Sequence, residues 1–408
     1  MATQLHTEII PELPPLLPPT PRPEIPKPIP GKPKKKLVRR AERDYSQAIR
    51  RSFQGGFLLL NLYLGWTFYH WVRHFETGGA APAVARPAGV EGYLPIAGMM
   101  NFKYWLLTGH VPAMHPAAMF LLITFAAMAF LFRKAFCSWL CPVGTISEYL
   151  WRAGQKIFRR NFHLPRWLDI PLRGLKYLLL GFFVWAVSTM SAGAIEGFMR
   201  SPYGVIADVK MLNFFRFIGE TGLIVIGVLM LASVLVQNFW CRYLCPYGAL
   251  LGLTSLFSPL RIRRDSSACI DCAKCAKACP SALPVDKLVT IKSAECTGCL
   301  ECVAVCPAQG ALQMSLPRVL TPVIPSGRVR FGHESQPEVE GPCVPRPLAP
   351  TMPAWAMAVG IAALFFGIVG FAKTAGYWQT SVPTAVYRQL VPHAAEATHP
   401  LPGDPGLN

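Results

Sequence analysis

Charge is what this chain lacks most. Only 15% of its 408 residues are Asp, Glu, Lys or Arg, and acids are the scarcer sign, 22 against 40 bases. A soluble domain carries about 25% charged residues, so an ordinary water-soluble globule is excluded. With 52% hydrophobic residues and a mean hydropathy of +0.33, a lipid bilayer is the expected solvent. Also missing are a glycine-rich phosphate loop, a flavin or dinucleotide fingerprint, and a Ser or Cys hydrolase constellation, which removes nucleotide and acyl-transfer chemistry. The glycine spacing in "GLIVIGVL" lies inside an apolar helix and reads as packing. No apolar run precedes Phe57 and no A-x-A site follows the first one, so the first segment is expected to stay as an anchor.

What is present is hydrophobic length. A bilayer needs roughly 20 apolar residues per helical crossing, and five segments supply it: 54–74, 116–136, 175–195, 219–240 and 353–373. The segment 92–112 is broken by Pro95, Gly98, Lys103 and Gly109 and is expected to lie at the interface or re-enter. Placing the N-terminus inside assigns 32 of the 40 Lys and Arg to the cytoplasmic side, as the positive-inside rule requires. Eleven prolines in residues 11–33 deny that stretch the donors helix or sheet needs. The basic block beside it reads as a topology and lipid signal, not a nucleic-acid site. The predicted organisation is a Pro-rich, disordered, basic cytoplasmic tail at 1–52, a four-helix core at 53–264, a small insert at 265–316, a Pro-rich linker at 317–352, a fifth helix at 353–374 and a short periplasmic tail at 375–408.

The thirteen cysteines carry the chemistry. "CIDCAKCAKACP" at 269–280 and "CTGCLECVAVCP" at 296–307 are both C-x2-C-x2-C-x3-C-P runs, in which three thiolates hold one iron–sulfur cube and the fourth holds the other. Cys269, Cys272, Cys275 and Cys306 are therefore assigned to one 4Fe-4S cluster, and Cys296, Cys299, Cys302 and Cys279 to a second. Zinc thiolates are the alternative, but two full runs are far more specific than generic C-x2-C pairs. The insert thus reads as a cytoplasmic α+β two-cluster ferredoxin of the bacterial type. The fold class is an α-helical integral membrane protein carrying it, with about five transmembrane helices.

"FCSWLCPVGT" at 136–145 and "WCRYLCPYGA" at 240–249 align without a gap, and each follows a span. Both spans run from outside to inside, so the halves form a parallel internal repeat that brings the pairs face to face. Residues at i and i+4 share a helix face, so Cys137, Cys141, Cys241 and Cys245 supply four thiolates for iron, an iron–sulfur cluster or copper. Packing cysteines at crowded helix ends are the alternative. Cys343 reads as a spare linker thiol. On the outer side, His70, His74, His110 and His115 lie near Met99, Met100 and Met114. They read either as ligands for haem or copper and proton acceptors for a quinol, or as interfacial hydrogen-bonding side chains. Glu91, Glu196 and Glu220 read as loop charges or proton carriers.

Taken together, residues 50–316 resemble the membrane-bound polyferredoxins of the NapH/MauN type, and are similar to the C-terminal half of NosR and to the oxidase-assembly protein CcoG (FixG, RdxA). The resemblance implies electron relay between the cytoplasmic clusters, the membrane cysteines and quinone or quinol, or a periplasmic or membrane redox partner. It implies a subunit of a quinol-dehydrogenase-like oxidoreductase. The alternatives are a copper-reducing assembly factor of the CcoG type and a structural ferredoxin anchor. The tail of about 35 residues after the last span is too short for the outer domain of the CcoG subgroup.

Overall fold

Long apolar stretches punctuated by Pro and Gly become helices with abrupt ends. The computed structural model describes residues 38–40, 44–159, 162, 164–317 and 350–400. The proline tract at 11–33, the segment 318–349 and Cys343 lie outside the described residues. Helix α1 (Ser46–Glu76) is followed by a 3-10 turn (Ala88–Tyr93), α2 (Pro95–Thr108) and α3 (Pro116–Phe132). Next come the short α4 (Ala135–Trp139), then α5 (Pro142–Phe158) and α6 (Arg166–Thr189). A run of shorter pieces, α7 (Ala192–Arg200), α8 (Pro202–Val205) and α9 (Ala207–Arg216), leads into α10 (Glu220–Leu235). A π-helical turn (Trp240–Leu244) precedes α11 (Pro246–Ser255).

The insert holds β1 (Arg261–Arg264), two four-residue helices, α12 (Lys274–Lys277) and α13 (Glu301–Ala304), and β2 (Leu312–Ser315). β1 and β2 pair antiparallel from Arg261 opposite Ser315 to Arg264 opposite Leu312. The chain ends in α14 (Ala354–Thr374) and α15 (Thr384–Leu390). Proline opens α2, α3, α5 and α11 at the first helical turn, where its missing N–H has no partner to lose.

Among the described residues, Trp167–Thr189 and Ala354–Thr374 are long and apolar enough to cross a membrane. A third crossing is present if α9 and α10, bent by 82°, are one broken span. The other expected spans are helical but fall short of that standard: α3 has 17 residues, and the apolar run of the 31-residue α1 is diluted by Asn61, Thr67, His70 and its charged ends. The 14-residue α2 rises only about 21 Å. It packs on α3, with the Lys103 amine donating to the Val187 and Ser188 carbonyls at the end of α6 (3.0 and 2.8 Å).

α14 runs antiparallel to α3 and parallel to α1, since Phe365 meets Phe125 and Phe57 while Phe120 meets Tyr377. One end of the bundle therefore gathers the start of α1, the end of α3, both C-x3-C-P segments and the insert. The main core follows that seam, where Phe125, Phe132, Phe136 and Trp139 of the bundle join Ile262, Leu300 and Met314 of the insert.

Candidate functional site

The two membrane cysteine pairs do not sit on one continuous helix face, which corrects the i, i+4 expectation. A residue before proline is pushed out of the helical region, and Cys141 and Cys245 precede Pro142 and Pro246. Both are extended (φ −65, ψ 120 and φ −72, ψ 104) and cap the helix that follows. Each sulfur accepts a backbone N–H two residues beyond the proline, from Gly144 at 3.4 Å and Gly248 at 3.2 Å. The motif C-P-x-G therefore builds a sulfur N-cap at the positive end of a helix, whose N–H groups offset part of the cost of a thiolate, although burial outweighs them and pushes both thiols above their ordinary value. Cys137 lies one break earlier in α4, and Cys241 in the π-helical turn.

Beyond the ends of the membrane helices, burial and then the charges of Cys245, Cys141 and Cys137 oppose ionisation of Cys241. The four sulfurs are thus close enough to repel one another as anions. A Cβ on Gly144 would collide with the Cys137 carbonyl oxygen, whereas one on Gly248 meets nothing nearer than 3.5 Å. Gly144→Ala is expected to lower stability by about 1–3 kcal/mol, and Gly248→Ala to be nearly neutral. Thermal inactivation of the detergent-solubilised proteins measures both.

In the insert, Cys269, Cys272, Cys275 and Cys306 line one cavity, and Cys279, Cys296, Cys299 and Cys302 line another. The loops are matched: Asp271 and Ala273 flank Cys272 with φ 56 and 55, and Gly298 and Leu300 flank Cys299 with φ 62 and 59. Left-handed residues beside ordinary ones turn successive N–H groups into a concavity suited to an anion. Backbone N–H groups donate to Cys275, Cys279 and Cys299, from Ala276, Leu283 and Glu301 among others. At Gly298 a Cβ would also press on the Phe132 carbonyl at 3.0 Å, so glycine is required twice over.

Burial pushes Cys279 up to about 11 and Cys299 to about 12. Such thiols keep their protons at neutral pH until a metal replaces them. Among the described residues, no three His, Cys, Asp or Glu side chains converge on the spacing of a single metal ion. The four-thiol, N–H-lined cages fit a cubane cluster, whose charge is spread over a larger body.

The second cage is bolted to the membrane helices. Ser138 Oγ donates to the Thr297 carbonyl at 2.7 Å and Trp139 Nε1 to the Gly298 carbonyl at 3.2 Å, so the loop carrying Cys299 rests on the residues after Cys137. Buried Arg50 holds Glu148 with both amino nitrogens (2.6 and 2.7 Å) and reaches Glu301 of the insert at 2.9 Å. Two further buried cations, Lys134 and Lys176, share the single carboxylate of Glu295 (3.6 and 2.6 Å). This leaves an excess of positive charge beside the four thiols, as an anionic centre needs.

A largely apolar cavity of about 940 Å³ connects these parts. Cys137, Cys141, Cys241, Cys245 and Cys299 line one end, and Val369, Lys373 and Trp378 of the α14 region the other. Within it, Tyr93 donates to Asn61 Oδ1 at 2.7 Å.

The outer histidines do not form a cluster. His70 lies edge-on to Trp66 and Tyr69, His74 shares a hydrogen bond with the Ala81 carbonyl, and His110 is exposed. His115 is buried with both ring nitrogens engaged, Nε2 with the Gly204 carbonyl at 2.8 Å and Nδ1 within 3.4 Å of Arg86 and Glu91. Glu91 is likewise no solvated loop charge: it is fully buried, paired with Arg86 at 2.8 Å, and its other oxygen accepts the Ala118 N–H at the start of α3. Asp208 completes this network at 2.6 Å from Arg86. Sequence reasoning missed it because its partners lie up to 122 residues apart. Glu196 pairs with Arg200 near the surface, and Glu220 opens α10.

Comparison with known proteins places these motifs. The family described as a 4Fe-4S binding domain matches residues 114–165 and again 218–264, each holding one C-x3-C-P pair. The 4Fe-4S dicluster domain family matches 261–313. The "Putative electron transport protein YccM" of Escherichia coli K12 is 48% identical over 350 residues, 86% of this chain and 91% of that protein. The "Ferredoxin-type protein NapH" of the same organism is 27% identical over 177 residues, covering 43% of this chain and 57% of NapH. The "Methylamine utilization ferredoxin-type protein MauN" of Methylobacillus flagellatus is 26% identical over 172 residues, covering 41% and 56%. No solved structure matches.

Proposed function

The chain belongs to the NapH/MauN-type family of membrane polyferredoxins, iron–sulfur electron-transport proteins, and from that premise we propose a three-centre relay. Cys269, Cys272, Cys275 and Cys306 hold one 4Fe-4S cluster, and Cys279, Cys296, Cys299 and Cys302 the second. Cys137, Cys141, Cys241 and Cys245 hold a third iron–sulfur centre. Each bound cluster supplies one-electron carriage without bond chemistry. The residues here do the rest: the sulfur N-caps and the Lys134–Glu295–Lys176 group offset the negative charge of the third centre, and the apolar cage walls exclude water.

The observation that carries this reading is the seam itself. The Cys299 loop is hydrogen-bonded to Ser138 and Trp139, and Cys299 faces the same cavity as the four membrane thiols. The duplicated 4Fe-4S family match over the C-x3-C-P segments favours iron–sulfur over copper at that site. At about 940 Å³ and mostly apolar, the cavity suits a quinone head and part of its tail, with Tyr93 and Asn61 as polar partners. The insert end then faces the cytoplasm of the bacterial inner membrane, and a quinone pool or outer-face partner exchanges electrons with the third centre.

Metal and sulfide analysis with EPR tests the proposal. Changing Cys137, Cys141, Cys241 and Cys245 together to alanine is expected to remove about four of about twelve irons per chain. It should also abolish reduction of the remaining clusters by a short-chain quinol. Full quinol-coupled reduction in that variant would sink the relay, and copper in place of the missing iron would assign the site to metal handling instead.

A further inference from the structure

Among the described cysteines, Cys272 alone is exposed. The second cage is pressed against the helix ends, so the first cage, opening at Cys272, is where the electron path meets water. Arg264 lines that cage and pairs with Asp271 at 3.2 Å. Its backbone N–H donates to the Val289 carbonyl at 2.8 Å and its Nε to the Leu288 carbonyl at 3.3 Å. Leu288 and Val289, 39% and 60% exposed, are thereby held beside the cage as an apolar spot on an otherwise polar insert.

The rim of that spot is basic. Lys274 and Lys277 stand exposed on α12, Lys287 is exposed next to Leu288, and exposed Arg39 bridges to Ala308, another residue of the cage wall. The insert, 261–316, holds seven Lys and Arg against five Asp and Glu. Two of those five, Glu295 and Glu301, are turned inward onto Lys176 and Arg50. The outward face of the insert therefore carries a clear positive excess around its one exposed thiol.

We infer that this face is the docking surface for a small acidic one-electron carrier protein in the cytoplasm, of the flavodoxin or ferredoxin class. The inference rests on the cluster assignment proposed above. An apolar centre with a mostly positive rim, Lys274, Lys277, Lys287 and Arg39 against Asp271 and Asp286, fits a short-lived redox encounter: the rim steers an oppositely charged partner, and the small centre lets it leave. In each encounter one electron leaves one partner's centre and enters the other's, so one is oxidised and the other reduced by one unit, with no bond formed between them and any proton taken up by a flavin coming from solvent. Cationic carriers are repelled by the same rim.

The test uses the full chain in zwitterionic nanodiscs, with a fluorescently labelled acidic flavodoxin as the probe. Binding is expected at about 20 mM salt and should weaken by about tenfold near 200 mM. The variant Lys274→Glu/Lys277→Glu should lose about tenfold at low salt with iron and sulfide content unchanged. Lys287→Glu, at a residue that lines neither cage, should show the same direction should the double variant lose iron. Equal binding by wild type and Lys287→Glu would overturn the inference, as would equally tight binding of a basic cytochrome c. If flavodoxin fails to bind while the same charge reversals abolish flotation of the nanodiscs with phosphatidylglycerol vesicles, the face belongs to lipid and the inference falls. Wild-type protein without iron in the insert would sink the cluster assignment instead, so the two failures are distinguishable.

Discussion

Replacing Cys302 by alanine is expected to remove about four irons per chain, to break the electron path completely, and to expose the seam to protease. Cys302 is 8% exposed and shares its cage with Cys279, Cys296 and Cys299, and Ile262, Leu283, Val285 and Ile291 supply much of the apolar wall. Once one of the four ligands is gone, Cys279 and Cys299 lie in a cage where burial opposes ionisation and outweighs the nearby charges of Arg242 and Arg50, so they keep their protons and hold metal poorly. Metal binding contributes to folding in such sites, so the loop 296–302 should loosen and release its hydrogen bonds to Ser138 and Trp139. Cys272→Ala provides the contrast, because its sulfur is exposed and its cage lies away from that seam. It should also lose about four irons, yet leave the Ser138–Thr297 and Trp139–Gly298 contacts protected. Limited proteolysis with iron quantification separates the two. Retention of full iron by Cys302→Ala would show that the eight thiols are not divided between cages in this way.

The parts of this site legible in the sequence are those that chemistry fixes locally. The two C-x2-C-x2-C-x3-C-P runs are local patterns readable in the sequence, and the structure places their eight cysteines four by four in two cavities; that each four holds a cluster is what we propose. Proline before a helix also leaves a readable trace: Pro142 and Pro246 already imply extended cysteines ahead of them, and the i, i+4 face was the weaker inference. What stayed hidden depends on partners far along the chain. Arg50 meets Glu148 and Glu301 across 98 and 251 residues, and Glu91 meets Asp208 only through Arg86. Single-residue chemistry cannot choose among such partners. The histidines at 70, 74, 110 and 115 misled for the same reason: four imidazoles look like a ligand set, but His115 is held by a carbonyl and an ion pair, His70 and His74 meet separate neighbours, and His110 is exposed. Left-handed Ala273 and Leu300 were also unreadable, since these residue types avoid that conformation unless surrounding hydrogen bonds impose it.

Arg50→Met tests whether the ferredoxin insert is held to the bundle by charge. The guanidinium is fully buried, binds Glu148 at 2.6 and 2.7 Å and Glu301 at 2.9 Å, and Gln54 adds a donor to Glu148 at 2.9 Å. Removing it leaves two largely buried carboxylates with Arg152 as their remaining cation, a change that costs about 3–5 kcal/mol. Burial alone would raise the pKa of Glu148, but the hydrogen bond and charge of Arg50 outweigh it and hold Glu148 below its ordinary 4.5. The sign follows: with Arg50 present, this pair's contribution is complete above pH 4.5 and is lost as pH falls through the lower folded value. Without Arg50 the burial cost prevails and Glu148 titrates above its ordinary value. The variant should then be weakest at neutral pH and recover relative to wild type as the solution is acidified toward pH 5. Thermal midpoints of both proteins in detergent, measured between pH 5 and 8, decide it: a constant difference across that range would assign the loss to packing and remove charge as the clamp.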